Sequence, residues 1–201
     1  KLFKVDNGRI RYLSEEEYIK LIEVSPDILK SKIIIAVNTG LRIGELVSLK
    51  WKDVDMKQEI ITVSDTKNNE TRYVDINKVV AEVLSKIEKT SEGEYVFAGG
   101  KENSHISASY ISHLFAKTAK KVGIQGCTFH DTRHTFASWL VMQGANLKTV
   151  QELMGHKDFK MTLRYAHLSP EYRKSAVEGL GKKCIILGKN MDNKVDVRIT
   201  K

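Results

Sequence analysis

Several residues in this chain have the types and spacing needed to handle a phosphate. Arg42 follows Gly40-Leu41 at the mouth of a short helical stretch. A guanidinium grips phosphate oxygens through a bidentate fork that lysine cannot copy. On spacing alone the plainer reading prevails, a helix-surface arginine paired with Glu45 one turn on. His130 and Arg133 stand at i and i+3, on one face of a helix start. An imidazole and a guanidinium converging there suit an anion, aided by the helix N-terminus. His130 and His134 also spell H-x-x-x-H, but the zinc-protease pattern needs Glu directly after the first His, and Asp131 stands there. His156 follows Gly155 on a tight turn, where it reads structurally as a residue at a helix C-terminus. Tyr165 is one of seven tyrosines, most of which belong in a core with a satisfied hydroxyl. A free phenol has a pKa of about 10, so to act as a nucleophile it needs neighbouring cations or a base such as His130. Lys67 sits in a turn, where a solvated lysine is the common case; Arg72 is the alternative cation nearby, on a strand.

The elements that must position these groups are mostly helices. Ser14-Glu-Glu-Glu17 is a capping box, so a helix should run from there to about Val24. Ser25-Pro26-Asp27 breaks it, and Ile28 to Thr39 reads as a buried helix stopped by Gly40. Ile43, Leu46 and Leu49 mark a short helix. The period then changes to alternation over residues 60–65 and 71–76, with the Asn-rich Lys67-Asn-Asn-Glu70 between them, as a hairpin requires. A third short strand is expected around Tyr95-Val-Phe97. Helical patterns resume at Val79–Ile87 capped by Asn77, from Ser107 to Gly123, from His130 to Met142, and from Leu147 to Gly155. Asp158 caps the stretch holding Tyr165, and Ser169-Pro-Glu171 opens a last helix. Cys184–Leu187 and Val195–Ile199 read as short strands or a loose tail. The fold class is mainly α with a small antiparallel β-sheet (α+β).

With 201 residues and 41% hydrophobic content, the chain can bury a sizeable core. No run of about 18 apolar residues occurs, so no membrane span is expected. The start, Lys1-Leu-Phe-Lys4, lacks an initiator Met and a signal-peptide plan, which points to a fragment with more protein upstream. Cys127 and Cys184 make no disulfide framework and no Cys-x-x-Cys pair; free thiols in a reducing cytoplasm are expected. The formal charge is +8. Residues 1–12 carry Lys1, Lys4, Arg9 and Arg11 against Asp6, and residues 173–201 carry eight Lys/Arg against Glu178, Asp192 and Asp196. The ends therefore supply the excess while the body is near neutral. Basic ends on a neutral body favour specific contacts with a polyanion over a uniformly cationic shell.

Four segments, in order, resemble the catalytic domain of the tyrosine recombinases, the phage and transposon integrase family. They are Thr39-Gly-Leu-Arg-Ile-Gly-Glu-Leu46, His130-Asp-Thr-Arg-His-Thr-Phe136, Leu153-Met-Gly-His156 and Met161-Thr-Leu-Arg-Tyr-Ala-His167. The resemblance spans about Leu13 to Ser175. It implies a helical catalytic domain, here residues 1–180, with an inserted three-stranded sheet and a basic tail at 181–201. The family's usual plan also has an upstream helical domain that clamps DNA from the opposite face, which is expected to lie outside this fragment. The implied site is Arg42, Lys67, His130, Arg133, His156 and Tyr165. Tyr165 is the implied nucleophile, Lys67 in Thr66-Lys67-Asn68-Asn69 the hairpin lysine, Glu45 an orienting carboxylate, and His134 a structural helix residue. The implied activity is site-specific recombination or integration through a 3′-phosphotyrosyl intermediate, as in integration and excision of a mobile element. The implied partner is double-stranded DNA, bound by a tetramer, with no nucleotide, metal or other cofactor; the implied place is the cytoplasm, for a bacterial or phage-encoded protein associated with the nucleoid. The segment Pro170–Leu180 is expected as a helix that docks on a neighbouring protomer.

Overall fold

The computed structural model describes residues 10–65, 70–87, 94–101, 103–169, 177–178 and 180–181. Ser14 opens α1 (Glu15–Val24) with the full capping box: its side chain accepts from the Glu17 backbone N–H, and the Glu17 carboxylate accepts from the Ser14 N–H. α2 (Asp27–Thr39) is the central helix, burying Leu29, Ile33, Ile35, Ala36 and Val37 and packing against α3 (Ile43–Val47), α4 (Lys78–Lys86), α5 (Ala108–Lys121) and α6 (Asp131–Met142). Each large aliphatic side chain enclosed this way contributes roughly 1.5–3 kcal/mol, so α2 is held by its packing.

Gly40 ends α2 in the left-handed conformation, with φ +64°. A Cβ there would lie 2.5 Å from Cδ1 of Phe136. Glycine is thus required twice, by the backbone angle and by the close approach of α6.

The sheet is antiparallel in the order β1 (Val54–Asp55), β2 (Ile60–Asp65), β3 (Glu70–Asp75). Its third strand is therefore Val54–Asp55, paired with Ile61 and Ile60. The expected strand at Tyr95–Phe97 is reduced to a single bridge between Tyr95 and Lys50. Ile61 faces Val74 and Val63 faces Arg72 across the hairpin. Cross-strand partners share a face, so Arg72 points to the same inner side as the buried Ile61 and Val74.

α7 (Leu147–Met154) ends at Gly155, again left-handed. α8 (Lys160–Leu163) follows; its N-cap is Phe159 and not the expected Asp158, whose carboxylate accepts from the Lys160 N–H at 2.9 Å. The helix stops before Tyr165, which lies beyond it, just ahead of a 3₁₀ turn at Ala166–Leu168. A second core cluster joins Phe136, Ala137, Val141, Val150, Met154 and Tyr165. Residues Lys1–Leu168 form one compact unit and Ser169–Lys201 another. In the second, residues 177–178 and 180–181 are helical. Of the expected helix start at Ser169-Pro-Glu171 only Ser169, a bend, is described; the rest of it and the expected tail strands lie outside the described residues. No helix among the described residues is long and apolar enough to cross a membrane.

Candidate active site

Arg133 is the hub. Its side chain is buried, and its two terminal nitrogens donate to the backbone carbonyls of Gly40 and Met154. Gly40 lies two residues before Arg42, and Met154 two before His156. One guanidinium therefore fixes the α2–α3 junction and the α7 exit against the first turn of α6. Two of its five N–H donors are used on these carbonyls. Burial lowers the Arg133 pKa, with Arg42 next in effect, to about 10; at neutral pH the group stays charged.

The start of α6 is fixed by Asp131, whose carboxylate accepts from the backbone N–H (2.6 Å) and hydroxyl (2.9 Å) of Thr128. This sets His130 at the helix mouth. Burial, then the Arg133 charge, lowers the His130 pKa.

Arg42 precedes α3 with its side chain 44% exposed, more open than Arg72 at 19% or the buried Arg133. Its Nη1 donates to Glu45 at 2.9 Å, and its backbone N–H donates to the same carboxylate at 2.8 Å. Arg72 reaches Glu45 from the hairpin with two parallel bonds of 2.8 and 2.7 Å. Burial alone would raise the Glu45 carboxyl; the bonds from Arg72 and Arg42 outweigh it and hold the pKa at about 2. Glu45 thus orients both arginines. Arg72 also lies against Gly155, where a Cβ would sit 2.6 Å from its Cδ. A side chain there would push Arg72 away beside His156.

His156 is buried, and its Nδ1 is 2.9 Å from the Thr162 hydroxyl. When that hydroxyl donates to Nδ1, the ring proton of the neutral imidazole lies on Nε2. Burial, then Arg133 and Arg42, lower the His156 pKa to about 4.

Tyr165 is fully enclosed, and its hydroxyl is 2.6 Å from Nδ1 of His134. Burial raises the phenol pKa to about 12, although Arg164 and Arg133 pull the other way. Three groups here were not singled out for the site from sequence. His134 was assigned a structural place, yet it touches the phenol. Thr162 orients His156. Arg164 is close enough to lower the pKa values of His130, His134 and His156 as well as Tyr165. The i, i+4 spacing from His130 was the available signal for His134; a contact spanning 31 residues leaves none for its partner.

Arg42, His130, Arg133, His156 and Tyr165 thus come together from four separate segments. Lys67 lies outside the described residues. Among those described, no group of three His, Cys, Asp or Glu is arranged to hold a metal ion.

A helical domain with this sheet and this Arg/His/Tyr cluster has the fold of tyrosine recombinase catalytic domains. It is similar to the crystal structure of XerA recombinase (TM-score 0.69, 29% identity, 84% of this chain and 64% of that one). It is also similar to the catalytic domain of bacteriophage HP1 integrase (TM-score 0.65, 28% identity, 84% of this chain and 94% of that one). Residues 11–172 match the phage integrase family, and the chain belongs to that family. The integrase of Salmonella phage P22 is 33% identical over 178 residues, 83% of this chain and 46% of the relative. The chain spans about half to two thirds of the length of the curated relatives it matches.

Proposed function

We propose that this chain is the catalytic domain of a site-specific recombinase that breaks and rejoins double-stranded DNA through a 3′-phosphotyrosyl intermediate. The observation that carries this is the anchoring of Arg133 to both Gly40 and Met154, which gathers Arg42, His130 and His156 around the segment holding Tyr165. In this account Tyr165 Oη attacks the scissile phosphorus and the 5′-oxygen leaves. Arg42 and Arg133 stabilise charge on the nonbridging oxygens. His156 donates from Nε2 to the same phosphate, held by Thr162. Lys67 protonates the departing 5′-oxygen. The phosphoester energy is kept in the adduct, so rejoining by a second 5′-hydroxyl consumes no nucleotide. Four protomers on two duplexes complete the exchange, at a site on the bacterial or phage chromosome.

A phosphate cannot reach a fully enclosed hydroxyl. The arrangement is therefore a resting one; DNA binding opens the Tyr165 hydroxyl to the phosphate while its contact with His134 is kept. The test is covalent capture. The chain is incubated with a randomised pool of nicked duplexes, from which a short 5′-hydroxyl strand diffuses away after cleavage and strands the adduct. A protein–DNA adduct resistant to denaturant is the expected result; its absence with the unaltered chain would overturn the proposal.

A further inference from the structure

From sequence, His134 reads as a structural residue inside the helix. Its Nδ1 lies 2.6 Å from the Tyr165 hydroxyl, within reach for proton transfer. We propose that His134 is the proton acceptor for Tyr165, taking the phenolic proton as Oη attacks phosphorus. This rests on the recombinase assignment above and adds to it the residue that activates the nucleophile.

The ring is placed for the task by α6. It packs edge-on against His130, with centroids 5.0 Å apart and planes at 88°. His134 follows Arg133 directly and lies one turn of α6 from His130, so the Nδ1···Oη contact borders the two residues that would hold the phosphate. Nδ1 accepts only while unprotonated, with the ring hydrogen on Nε2. Burial first, then His130, Arg164 and Arg133, keep the ring neutral, with a pKa near 4, while Asp131 pulls the other way. The phenol, held up near 12, is then the donor. Neutral His134 is a weak base in this resting state. An incoming phosphate offsets the repulsion from Arg133 and Arg164, so the substrate itself raises the basicity of the ring beside the nucleophile.

The step balances. The Oη–P bond forms and the P–O5′ bond breaks. The phenolic proton moves to Nδ1, leaving an imidazolium, and the 5′-oxygen takes its proton from Lys67. Rejoining reverses this: the incoming 5′-hydroxyl attacks phosphorus, and His134 returns its proton to the departing tyrosyl oxygen.

The test is single-turnover adduct formation by the full chain on a captured duplex whose bridging 5′-oxygen is replaced by sulfur, which leaves without a donated proton. In His134→Asn, the amide oxygen can accept the phenol's hydrogen bond but cannot take its proton. The adduct rate should fall about 100-fold or more, the usual worth of general base catalysis. The wild-type rate should climb with pH above the resting value near 4, because the bound phosphate raises the ring's basicity, and His134→Asn should lack that climb. A His134→Asn rate within about threefold of wild type would overturn the inference while leaving the recombinase assignment intact. If the variant does not fold, the unaltered chain decides: a rate flat between about pH 4 and 7 also overturns it. No adduct from the unaltered chain would defeat the recombinase assignment, and this inference with it.

Discussion

Loss of Arg72 is expected to destabilise the domain and loosen two motifs at once. Arg72 and Glu45 meet through two charge-assisted bonds, 2.8 and 2.7 Å, with side chains 19% and 20% exposed. The Glu45 carboxyl moves from 4.5 to about 2 because the bonds from Arg72, then Arg42, outweigh its burial. At about 1.36 kcal/mol per pKa unit this is ~3 kcal/mol of preference for the charged form. Partial exposure trims it to roughly 2–3 kcal/mol. Against that stands the Arg72 Nε, buried without a partner. Arg42 shares in that preference, so a double-mutant cycle of Arg72→Ala and Glu45→Ala, read by urea unfolding at neutral pH, should return a coupling of roughly 1.5–3 kcal/mol, the range for hydrogen bonds to charged groups. The carboxyl is depressed, so its contribution is complete above its unfolded value near 4.5 and is lost as pH falls through about 2. The coupling should accordingly shrink when the cycle is repeated at about pH 3.5. A neutral-pH coupling below ~0.5 kcal/mol, as for an exposed ion pair, would refute this reasoning.

Gly155→Ala places a β-carbon 2.6 Å from Arg72 Cδ at a φ of +60°; it should cost at least ~1–2 kcal/mol, and an unchanged unfolding midpoint would contradict the packing described. His134 and His156 are held neutral, with pKa values near 4, below the ordinary value of about 6.5. The unfolded chain thus binds more protons across that window, so stability is full above about pH 6.5 and declines toward pH 4; a melting temperature constant over this range would count against buried neutral histidines. Lys67→Ala should cleave slowly on ordinary DNA and recover near the wild-type rate when the bridging 5′-oxygen is sulfur, since a thiolate (thiol pKa about 8.5) leaves without an acid. Tyr165→Phe should gain nothing from that substrate, and failure of the sulfur to help Lys67→Ala would remove Lys67 as the general acid.

Where local chemistry decides structure, the chain was readable. The Ser14–Glu17 capping box, the glycine stops at Gly40 and Gly155, and the Asn77 and Ser107 caps all appear where the sequence placed them. The third strand was misplaced because Val54–Asp55 is two residues long and cannot display alternation. Tyr95-Val-Phe97 has the β-prone composition, but its bridge to Lys50 does not extend into a ladder. Tyr165 was placed in a helix that stops at Leu163; the four-residue α8 is too short for periodicity to mark its end. In the site, Arg42 and Glu45 were paired correctly from i, i+3 spacing. The Arg72–Glu45 and His134–Tyr165 contacts span 27 and 31 residues, and no local pattern encodes them. Arg72 shows the limit well: its alternation with Val74 gives the inward face, but not the carboxylate waiting there.

The central claim is that Tyr165 carries the DNA. The direct measurement is to digest the covalent adduct with protease and nuclease and to locate the residual nucleotide by mass spectrometry. The expected product is a nucleotide joined through its 3′-phosphate to the tyrosine of the Met161–His167 segment. The released strand should bear a free 5′-hydroxyl, and Tyr165→Phe should yield no adduct. A nucleotide on Tyr172, a 5′-phosphate linkage, or an adduct that survives Tyr165→Phe would contradict it.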